Sequence, residues 1–354
     1  MRVCYSREDL KKFIERATDV NKVHPVTISK FIQNAKEIEL DGVAQNGRIL
    51  VSAVAEHIEN AGVHSGDAHI IYPPHRVYLH TEQRIHKIAQ KLIKALFING
   101  PFNIQFLAKE NDVYVIEINV RASRTFPFLS KATGVNFAHK IVDVIYKNGQ
   151  AVELTYPNYA VVKAPQFSFS RLAGADPTLN VEMASTGEVA CFGRDVDEAY
   201  LKAILSTGVK INKKAALLSL GGNEFKQKFS SYAWQLKNQG YRLYATEKTH
   251  KFLNDIGIKN TLTYKWYEKK KPNVIDLILN GEVSIVINLS EIEDVRNRHF
   301  KEHLSDGYLI RRAAVDMNIF LFTDLNTSRF FVRALARYGF EGLSIKSWDE
   351  YLVT

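Results

Sequence analysis

The sequence predicts an α+β first half followed by an α/β domain built on a parallel sheet. Extended runs flank Asn46-Gly47, a pair of residues typical of a tight turn between antiparallel strands. Later in the chain, short apolar runs alternate with amphipathic stretches that end at glycine, as in a parallel sheet covered on both faces. We therefore predict domains at residues 1–148 and 212–354, joined by a proline-containing connector at residues 149–211.

Composition and charge narrow the class of protein. The chain has 354 residues, 46% of them hydrophobic, and no apolar run reaches the roughly 18 residues of a membrane helix. Cys4 and Cys191 lie far apart, so we expect reduced thiols in a cytoplasmic protein that has no signal peptide. The net charge of +9 fits nucleic acid or phosphorylated ligands. Since residues 269–271, the densest basic run, lack zinc-finger spacing, we expect a solvated surface, with no nucleic-acid or membrane partner.

Two more elements are predicted in the first half. Apolar side chains recur at helical spacing over residues 82–98, which indicates a helix with Thr81 as its N-cap. The stretches FNIQFLA and VYVIEINV, joined by a turn near Asn111, indicate a second hairpin.

The second hairpin brings polar side chains to one face. Side chains alternate faces along a strand, so Glu117, Asn119 and Arg121 project together, and the turn places Gln105 opposite Glu117. Carboxylate and amide oxygens suit Mg²⁺ or Mn²⁺, which keeps coordination positions for phosphates. Arg121 and Arg124 would neutralise those phosphates. A polar face turned to solvent is the other interpretation of the same pattern.

These residues resemble a known family. The run VIEINVRASRTFPFLSKATGVNFA is similar to the carbamoyl-phosphate synthetase signature E-x-N-P-R-x-x-R-T/S, and AEHIENAGVHSGDA is similar to the nucleotide and cation loop of that family. The resemblance covers nearly the whole chain, and both runs occur in the family's order and spacing. Val120 stands where the family usually has Pro. The resemblance implies the C-terminal lobe of the second ATP-grasp module, followed by a methylglyoxal-synthase-like allosteric domain.

The resemblance implies a role for each matching residue. Gln105, Glu117 and Asn119 would bind the divalent metal ions between the ATP phosphates. Arg121 and Arg124 would act in catalysis by binding phosphate or the phosphorylated intermediate. The residues that would bind ATP are Lys30, Ile32, Glu37, Gly62, Val63, His64, Ser65, Gln105 and Glu117.

The loop at residues 62–67 has two interpretations. Its glycines bracket a polar stretch, which fits a hydrogen-bonded turn. The resemblance instead makes it part of the nucleotide site, and makes His57, Glu59 and Asn60 neighbours of a K⁺ ion, although Asn60 is shorter than the Gln usual there. No nucleophile stands at fixed spacing from His64, so we do not expect triad chemistry.

The second half carries polar residues at the ends of its predicted strands. Thr246, Lys265, Trp266 and Asn288 end three strands, and Thr249 lies in the first turn of a helix. Ligands of parallel sheets bind beyond the carboxyl ends of the strands, and helix N-termini favour anions. We predict a small-anion pocket, whereas Thr246 alone would be read as a helix cap. The stretch resembles the allosteric domain of the family, which implies UMP, IMP or N-acetylglutamate as effector and leaves the choice open.

The resemblance implies a glutamine-hydrolysing, ATP-dependent ligase that phosphorylates carbamate to carbamoyl phosphate for pyrimidine or arginine synthesis. ATP, Mg²⁺ or Mn²⁺ and K⁺ would be its cofactors. Its partners would be the remaining large-subunit segments and a small glutamine amidotransferase subunit. Met1 matches the position just after the family's Gly-rich loop, so we expect one wall of the site and no activity of the chain alone. The alternative is a non-catalytic regulatory or assembly fragment that binds only an effector and a partner subunit.

Overall fold

Two β-sheets of different kinds organise the chain. The computed structural model describes residues 3–4, 6–20, 25–147, 149–172, 174–290 and 305–352. A seven-stranded sheet, antiparallel throughout, precedes a five-stranded parallel sheet. The predicted order, an α+β half and then an α/β half, is therefore confirmed.

The first sheet takes strands from residues 36–193. Its strands are β1 (Lys36–Gln45), β2 (Arg48–Asn60), β3 (Ile70–Tyr72), β4 (Gly100–Lys109), β5 (Asp112–Asn119), β6 (Ala160–Phe167) and β7 (Ser185–Gly193). The accompanying helices are α1 (Arg7–Val20), α2 (Leu79–Ala95), α3 (Phe126–Thr133), α4 (Phe137–Ile145) and α5 (Val196–Ser206). The strand order across the sheet is β5-β4-β1-β2-β3-β6-β7.

Both predicted hairpins form. Asn46 and Gly47 have φ values of 51° and 76°, the left-handed pair that a two-residue turn between β1 and β2 requires. Glu110, with φ 56°, turns β4 into β5. Because these turns set the strand register, they also set which side chains share a face.

Helix α2 begins earlier than the sequence predicted. Tyr78 occupies the N-cap position and makes no side-chain capping bond, and the helix ends at Ala95 instead of residue 98. Thr81 is buried inside the first turn, so it cannot serve as the cap. Phe97, with φ 49°, breaks the helix before Gly100 begins β4.

The two faces of β1 have different neighbours. Ile38 and Leu40 pack with Ile85 and Ala89 of α2 in one apolar cluster. Val43 points to the opposite side, where α3 and α4 supply its apolar neighbours. The acidic residues of β1 share that second side, since strand residues alternate faces.

The second sheet shows the predicted alternation of strand and helix. Its strands are β8 (Ala215–Leu220), β9 (Arg242–Thr246), β10 (Thr261–Thr263), β11 (Ile285–Leu289) and β12 (Phe320–Phe322). Its helices are α6 (Gly222–Asn238), α7 (Glu247–Asp255), α8 (Val274–Leu279), α9 (Asp306–Asp316) and α10 (Leu325–Tyr338). In the order β10-β9-β8-β11-β12, the strands β9 and β10 lie on one side of β8, and β11 and β12 lie on the other. A parallel sheet whose strand order changes side in this way has a ligand crevice at the carboxyl ends of its strands.

The stretch predicted as a connector is structured. It contributes β6 and β7 to the first sheet, and α5 packs into an apolar core that both sheets share. Tyr200 and Leu201 of α5 meet Phe330 and Phe331 of α10 in that core. The sequence predicted some helix here and no separate core, and it did not predict the two strands, because prolines obscured their pattern. The domain boundaries themselves stay a prediction.

The end of the chain returns to the first sheet. After α10, residues 339–347 lead to helix α11 (Trp348–Leu352). Tyr351 of α11 packs with Tyr159 and Phe192 in the core beside α3. None of the helices in the described part of the chain combines the length and apolar character that crossing a bilayer requires.

Candidate functional site

The predicted metal-binding residues lie together on β4 and β5. Gln105 pairs directly with Glu117 in the strand register, as predicted. The amide nitrogen Nδ2 of Asn119 donates to Oε1 of Glu117 at 2.9 Å. Gln105 Nε2 donates to Ser65 Oγ at 3.2 Å, which joins this set to the polar loop. One carboxylate and two amide side chains therefore converge at the edge of the sheet.

Both predicted arginines follow β5 and are exposed. Arg121 donates to the carbonyl oxygen of Ala122 at 3.2 Å. Arg124 turns towards the polar loop, since a Cβ added at Gly66 would come within 2.9 Å of its Nη1. Its Nη2 lies 3.9 Å from the Glu188 carboxylate. Two guanidinium groups thus flank the carboxylate and amides of the preceding strand.

The loop at residues 62–67 is a hydrogen-bonded turn. His64 Nδ1 accepts from the Gly66 backbone N–H at 3.0 Å. The buried Asp67 carboxylate accepts from the N–H groups of Ala184 and Ser185, both at 2.8 Å. These bonds hold the loop in place from a distant part of the chain, so the turn interpretation is correct. They do not test the nucleotide contacts predicted for the loop. Ser65 of the loop accepts a hydrogen bond from Gln105, one of the predicted metal-binding residues.

The segment with the predicted ATP-binding residues Lys30 and Ile32 passes beside this loop. Lys30 and Ile32 belong to an extended stretch before β1. A Cβ added at Gly62 would come within 3.2 Å of the Phe31 ring, so the segment and the loop are neighbours. Glu37 begins the face that continues towards Gln105 and is only 6% exposed. Glu37 and Gln105 thus share one face of the sheet, and residues 30–32 lie beside the loop at residues 62–65.

Sequence reasoning missed a buried polar layer behind these residues. Glu39 accepts from Thr125 Oγ1 at 3.0 Å and from Asn103 Nδ2 at 3.2 Å. The same Asn103 nitrogen donates to Asp41 at 3.0 Å. His57 lies between Glu37 and Glu39, 3.9 Å and 3.7 Å from their carboxylates. Because Thr125 directly follows Arg124, this layer connects the arginine loop to β1 and β2.

Charges within this layer shift its pKa values in opposite directions. Burial raises the pKa of Asp41 well above its ordinary value, and the neighbouring Glu39 charge adds to the effect. Burial would also raise the pKa of Glu39, but His57, Lys163 and Thr125 outweigh it and lower that pKa. The pKa of His57 is raised, because nearby carboxylates overcome its burial. These directions favour the protonated form of Asp41, the ionised form of Glu39 and the protonated form of His57.

One sequence signal could have found part of this layer. Glu37, Glu39 and Asp41 alternate along β1 with the same period of two that identified the residues of β5. No local signal points to Lys163, which lies on β6 and pairs with Glu188 at 3.3 Å.

The residues compared with a K⁺ site are engaged in other contacts. Glu59 accepts from the His69 backbone and lies 2.6 Å from His69 Nδ1. Asn60 Oδ1 accepts from Asn326 of α10 at 3.1 Å. These contacts tie the end of β2 to the second half of the chain.

The second predicted set lies at the carboxyl ends of the parallel strands. Thr246 ends β9, Asn288 lies near the end of β11, and Lys265 and Trp266 follow β10. Trp266 is 53% exposed, and Lys265 pairs with Asp306 at 2.9 Å. The five predicted residues share one rim, as expected from the parallel topology.

Two members of this set are already bonded within the protein. The hydroxyl of Thr249 is fully buried and accepts from the Leu220 backbone N–H at 3.0 Å. Asn288 Oδ1 accepts from Arg311 Nη1 at 2.7 Å. Arg311, which sequence reasoning missed, is completely buried and also donates to both Asp176 oxygens, at 2.8 Å and 2.6 Å. It joins α9 to the rim and to residues that precede β7.

Comparison with known proteins identifies both halves. Residues 1–150 match the model described as carbamoyl-phosphate synthase L chain, ATP binding domain. Residues 229–323 match the MGS-like domain. The multifunctional protein URA2 of Saccharomyces cerevisiae is 45% identical over 347 residues, which is 95% of this chain.

The chain is homologous to a segment of the carbamoyl-phosphate synthase large chain. The multifunctional protein CAD of Squalus acanthias is 44% identical over 96% of this chain. The mitochondrial carbamoyl-phosphate synthase [ammonia] of Homo sapiens is 42% identical over 95% of it. The chain spans 16% of URA2, 16% of CAD and 23% of the human protein.

The ATP-binding domain has donors that fit a divalent metal ion. The family model that matches residues 1–150 is named for ATP binding. In the described residues, no group of three or more His, Cys, Asp and Glu side chains forms a metal site by itself. Glu117 with the amides of Gln105 and Asn119 therefore suits a hard cation that takes its remaining oxygen ligands from phosphates.

Proposed function

We propose that the ATP-binding domain forms one wall of a site at which ATP phosphorylates carbamate to carbamoyl phosphate. The observation that carries the proposal is the register of β4 and β5, which puts Gln105 beside Glu117 and Asn119. In the reaction, a carbamate oxygen attacks the γ-phosphorus, the bond to the β,γ-bridging oxygen breaks, and ADP leaves. Pyrimidine or arginine synthesis would consume the product.

Each polar group has a part in this proposal. Gln105, Glu117 and Asn119 would hold Mg²⁺ or Mn²⁺, which neutralises charge on the phosphates. Arg121 and Arg124 would bind the transferring phosphoryl group, since positioning and charge neutralisation supply most of the catalysis in such reactions. The nucleotide would lie along the segment at residues 30–37 and the loop at residues 62–65.

The buried layer would keep the arginine loop in position. Thr125 donates to Glu39, and Glu39 is held by Asn103 and by the charge of His57. A buried acceptor with several partners has one favoured geometry, because leaving any of these groups unpaired is costly. The loop that carries Arg124 is therefore anchored to the central strands.

A substitution at Glu117 tests the catalytic proposal. In a full-length protein that contains this segment, we expect Glu117→Gln to lower carbamoyl phosphate formation at least about a hundredfold, since it removes the only carboxylate of the proposed metal set. Glu110→Gln, in the exposed turn of the same hairpin, serves as the control and should keep wild-type activity. Near-normal activity of Glu117→Gln would remove the metal-binding role.

The MGS-like domain would bind a small anionic effector at its rim. Thr246, Lys265 and Trp266 would contact the ligand directly, while Thr249 and Asn288 shape the rim through their internal bonds. Calorimetric titration with UMP, IMP, N-acetylglutamate and MgATP in separate runs tests this. Saturable binding of one of the first three identifies the effector, and binding of none would contradict the proposal.

Further partners and ions belong to the same proposal. Other large-chain segments would complete the ATP site, and a glutamine amidotransferase would supply ammonia. We also place a K⁺ ion near His57, Glu59 and Asn60. A K⁺ dependence of activity that persists in Glu59→Gln would contradict that placement.

A regulatory role without catalysis is the second candidate. The observation that favours it is the five-stranded sheet, because all the residues proposed to bind the effector lie at its rim and belong to this one chain. Effector binding together with absence of MgATP binding in the titration above would support this candidate for the chain alone.

A further inference from the structure

A cavity of about 520 Å³ lies away from both sites described above. Four parts of the chain form its walls: helix α3, strand β6, the β7–α5 region and the C-terminal segment at residues 340–348. Its volume is within the range of small-molecule sites, which are typically about 300–1,000 Å³. The cavity therefore has room for a ligand of one or two rings.

The walls are mostly apolar and aromatic. The apolar side chains that line the cavity include Phe128, Phe192, Leu205, Phe340, Leu343 and Trp348. Such walls favour a flat apolar ligand, since its binding removes water from the apolar surfaces of both the ligand and the cavity.

The charged side chains of the lining are all lysines. Lys131, Lys202 and Lys346 contribute to it, and no Asp or Glu does. Lys202 pairs with Glu198, 3.2 Å away, and donates to Tyr351 at 3.0 Å.

The other two lysines lie over aromatic rings. The Nζ of Lys131 lies 5.1 Å from the centre of the Trp348 ring, and that of Lys346 lies 5.7 Å from the Tyr351 ring. In the described part of the chain, neither amine has a carboxylate within 4.0 Å. Both are exposed, so each can turn towards a ligand without breaking an ion pair.

We propose that this cavity binds a small apolar carboxylate, with its ring against the aromatic walls and its charge between Lys131 and Lys346. The bound molecule would also join the C-terminal segment to α3. Since α3 directly follows Arg124 and Thr125, occupancy would connect the end of the MGS-like domain to the arginine loop. The proposal stands independently of the reaction assigned to the ATP-binding domain.

Cys191 lies in the cavity wall and provides a direct probe. In Cys4→Ser it is the only thiol of the chain, because the sequence has two cysteines. Its reaction with a neutral dipyridyl disulfide reports access to the cavity. Burial raises the pKa of this thiol, so all rates are compared at one pH.

The experiment measures protection of Cys191 by naphthoate and by naphthamide, which share a ring system and differ in charge. We expect saturable protection by naphthoate, with an affinity about tenfold above that of naphthamide, because like charges in a cleft concentrate the opposite ion. Lys131→Gln with Lys346→Gln should reduce the affinity for naphthoate to that for naphthamide. Lys87→Gln with Lys91→Gln, the same charge change on α2, should leave it unaltered.

Three results would overturn the proposal. One is equal protection by naphthoate and naphthamide, and another is protection that survives loss of both cavity lysines. The third is failure of the neutral disulfide to reach Cys191 in the folded chain, which would mean that the cavity is closed to ligands.

Discussion

The two sheets keep their polar side chains in different places. On the antiparallel sheet, Glu39 and Asp41 lie buried in the middle of a strand. On the parallel sheet, Lys265 and Asn288 lie at or beyond the ends of strands. Helices cover both faces of the parallel sheet, so polar groups find room only at its rim, whereas an antiparallel sheet can give one face to a site.

The two places also differ in charge. The face of the antiparallel sheet gathers carboxylates around one imidazole, and the arginines lie at its edge. The rim of the parallel sheet has Lys265 and the buried Arg311. In both sites buried charged side chains lie behind exposed ones, which are the groups that a ligand can reach. The comparison therefore predicts that buried charges control stability and exposed ones control binding.

The largest expected effect tests the buried charge of the rim. Arg311→Met removes the buried cation that pairs with Asp176 and donates to Asn288, and should lower the free energy of unfolding by about 3–5 kcal/mol. Urea unfolding followed by tryptophan fluorescence measures this, since Trp234 and Trp266 both lie in the MGS-like domain.

A surface lysine provides the matched control for Arg311. Lys228 forms an exposed pair with Glu224 one helical turn away, so Lys228→Met should change the free energy of unfolding by less than about 1 kcal/mol. Equal effects of the two substitutions would break the distinction between buried and exposed charge.

A smaller effect tests the buried acids of the first sheet through pH. Burial and the Glu39 charge raise the folded pKa of Asp41, so the folded chain keeps a proton that the unfolded chain loses above about pH 4. This group therefore makes stability fall as pH rises from that value to the folded pKa, and not beyond it. Asp41→Asn cannot titrate and should lose this slope in urea midpoints measured against pH.

Glu39 makes the opposite contribution to the pH dependence of stability, and it does so in both the wild type and Asp41→Asn. Its folded pKa is lowered, so its stabilisation is lost as pH falls through that folded pKa. Asp112→Asn, at the exposed start of β5, is the control and should keep the wild-type profile. An unchanged profile in Asp41→Asn would show that the acid is ionised in the folded chain.

The smallest expected effect on stability concerns the exposed cation of the rim. Lys265→Met removes a half-exposed pair with Asp306, so the free energy of unfolding should change by less than about 1 kcal/mol. The affinity for whichever effector binds should fall about tenfold, because a charge-assisted contact is lost. Calorimetry checks this, with exposed Lys251→Met of α7 as the control. Unaltered affinity would exclude Lys265 from the effector site.

Local pattern predicted much of both sites. The alternation along β5 and its turn were enough to place Gln105 opposite Glu117, and strand ends were enough to place Thr246 and Asn288 on one rim. Thr81 was placed wrongly as a cap, because a helix start depends on which residues the sheet buries. The two strands within the predicted connector were missed because prolines and glycines mask their alternation.

The sequence by itself determined the periodicities, the turns and the residue types at each strand end, since these depend on neighbours within a few positions. It could not distinguish Glu39, which is 2% exposed, from Glu117, which faces solvent, although both alternate along a strand in the same way. Only the tertiary structure decided that difference. Distant segments bring Thr125 and Lys163 to Glu39. Burial by such remote residues decides whether a polar side chain is protonated, carries a charge or faces solvent where it can bind a ligand.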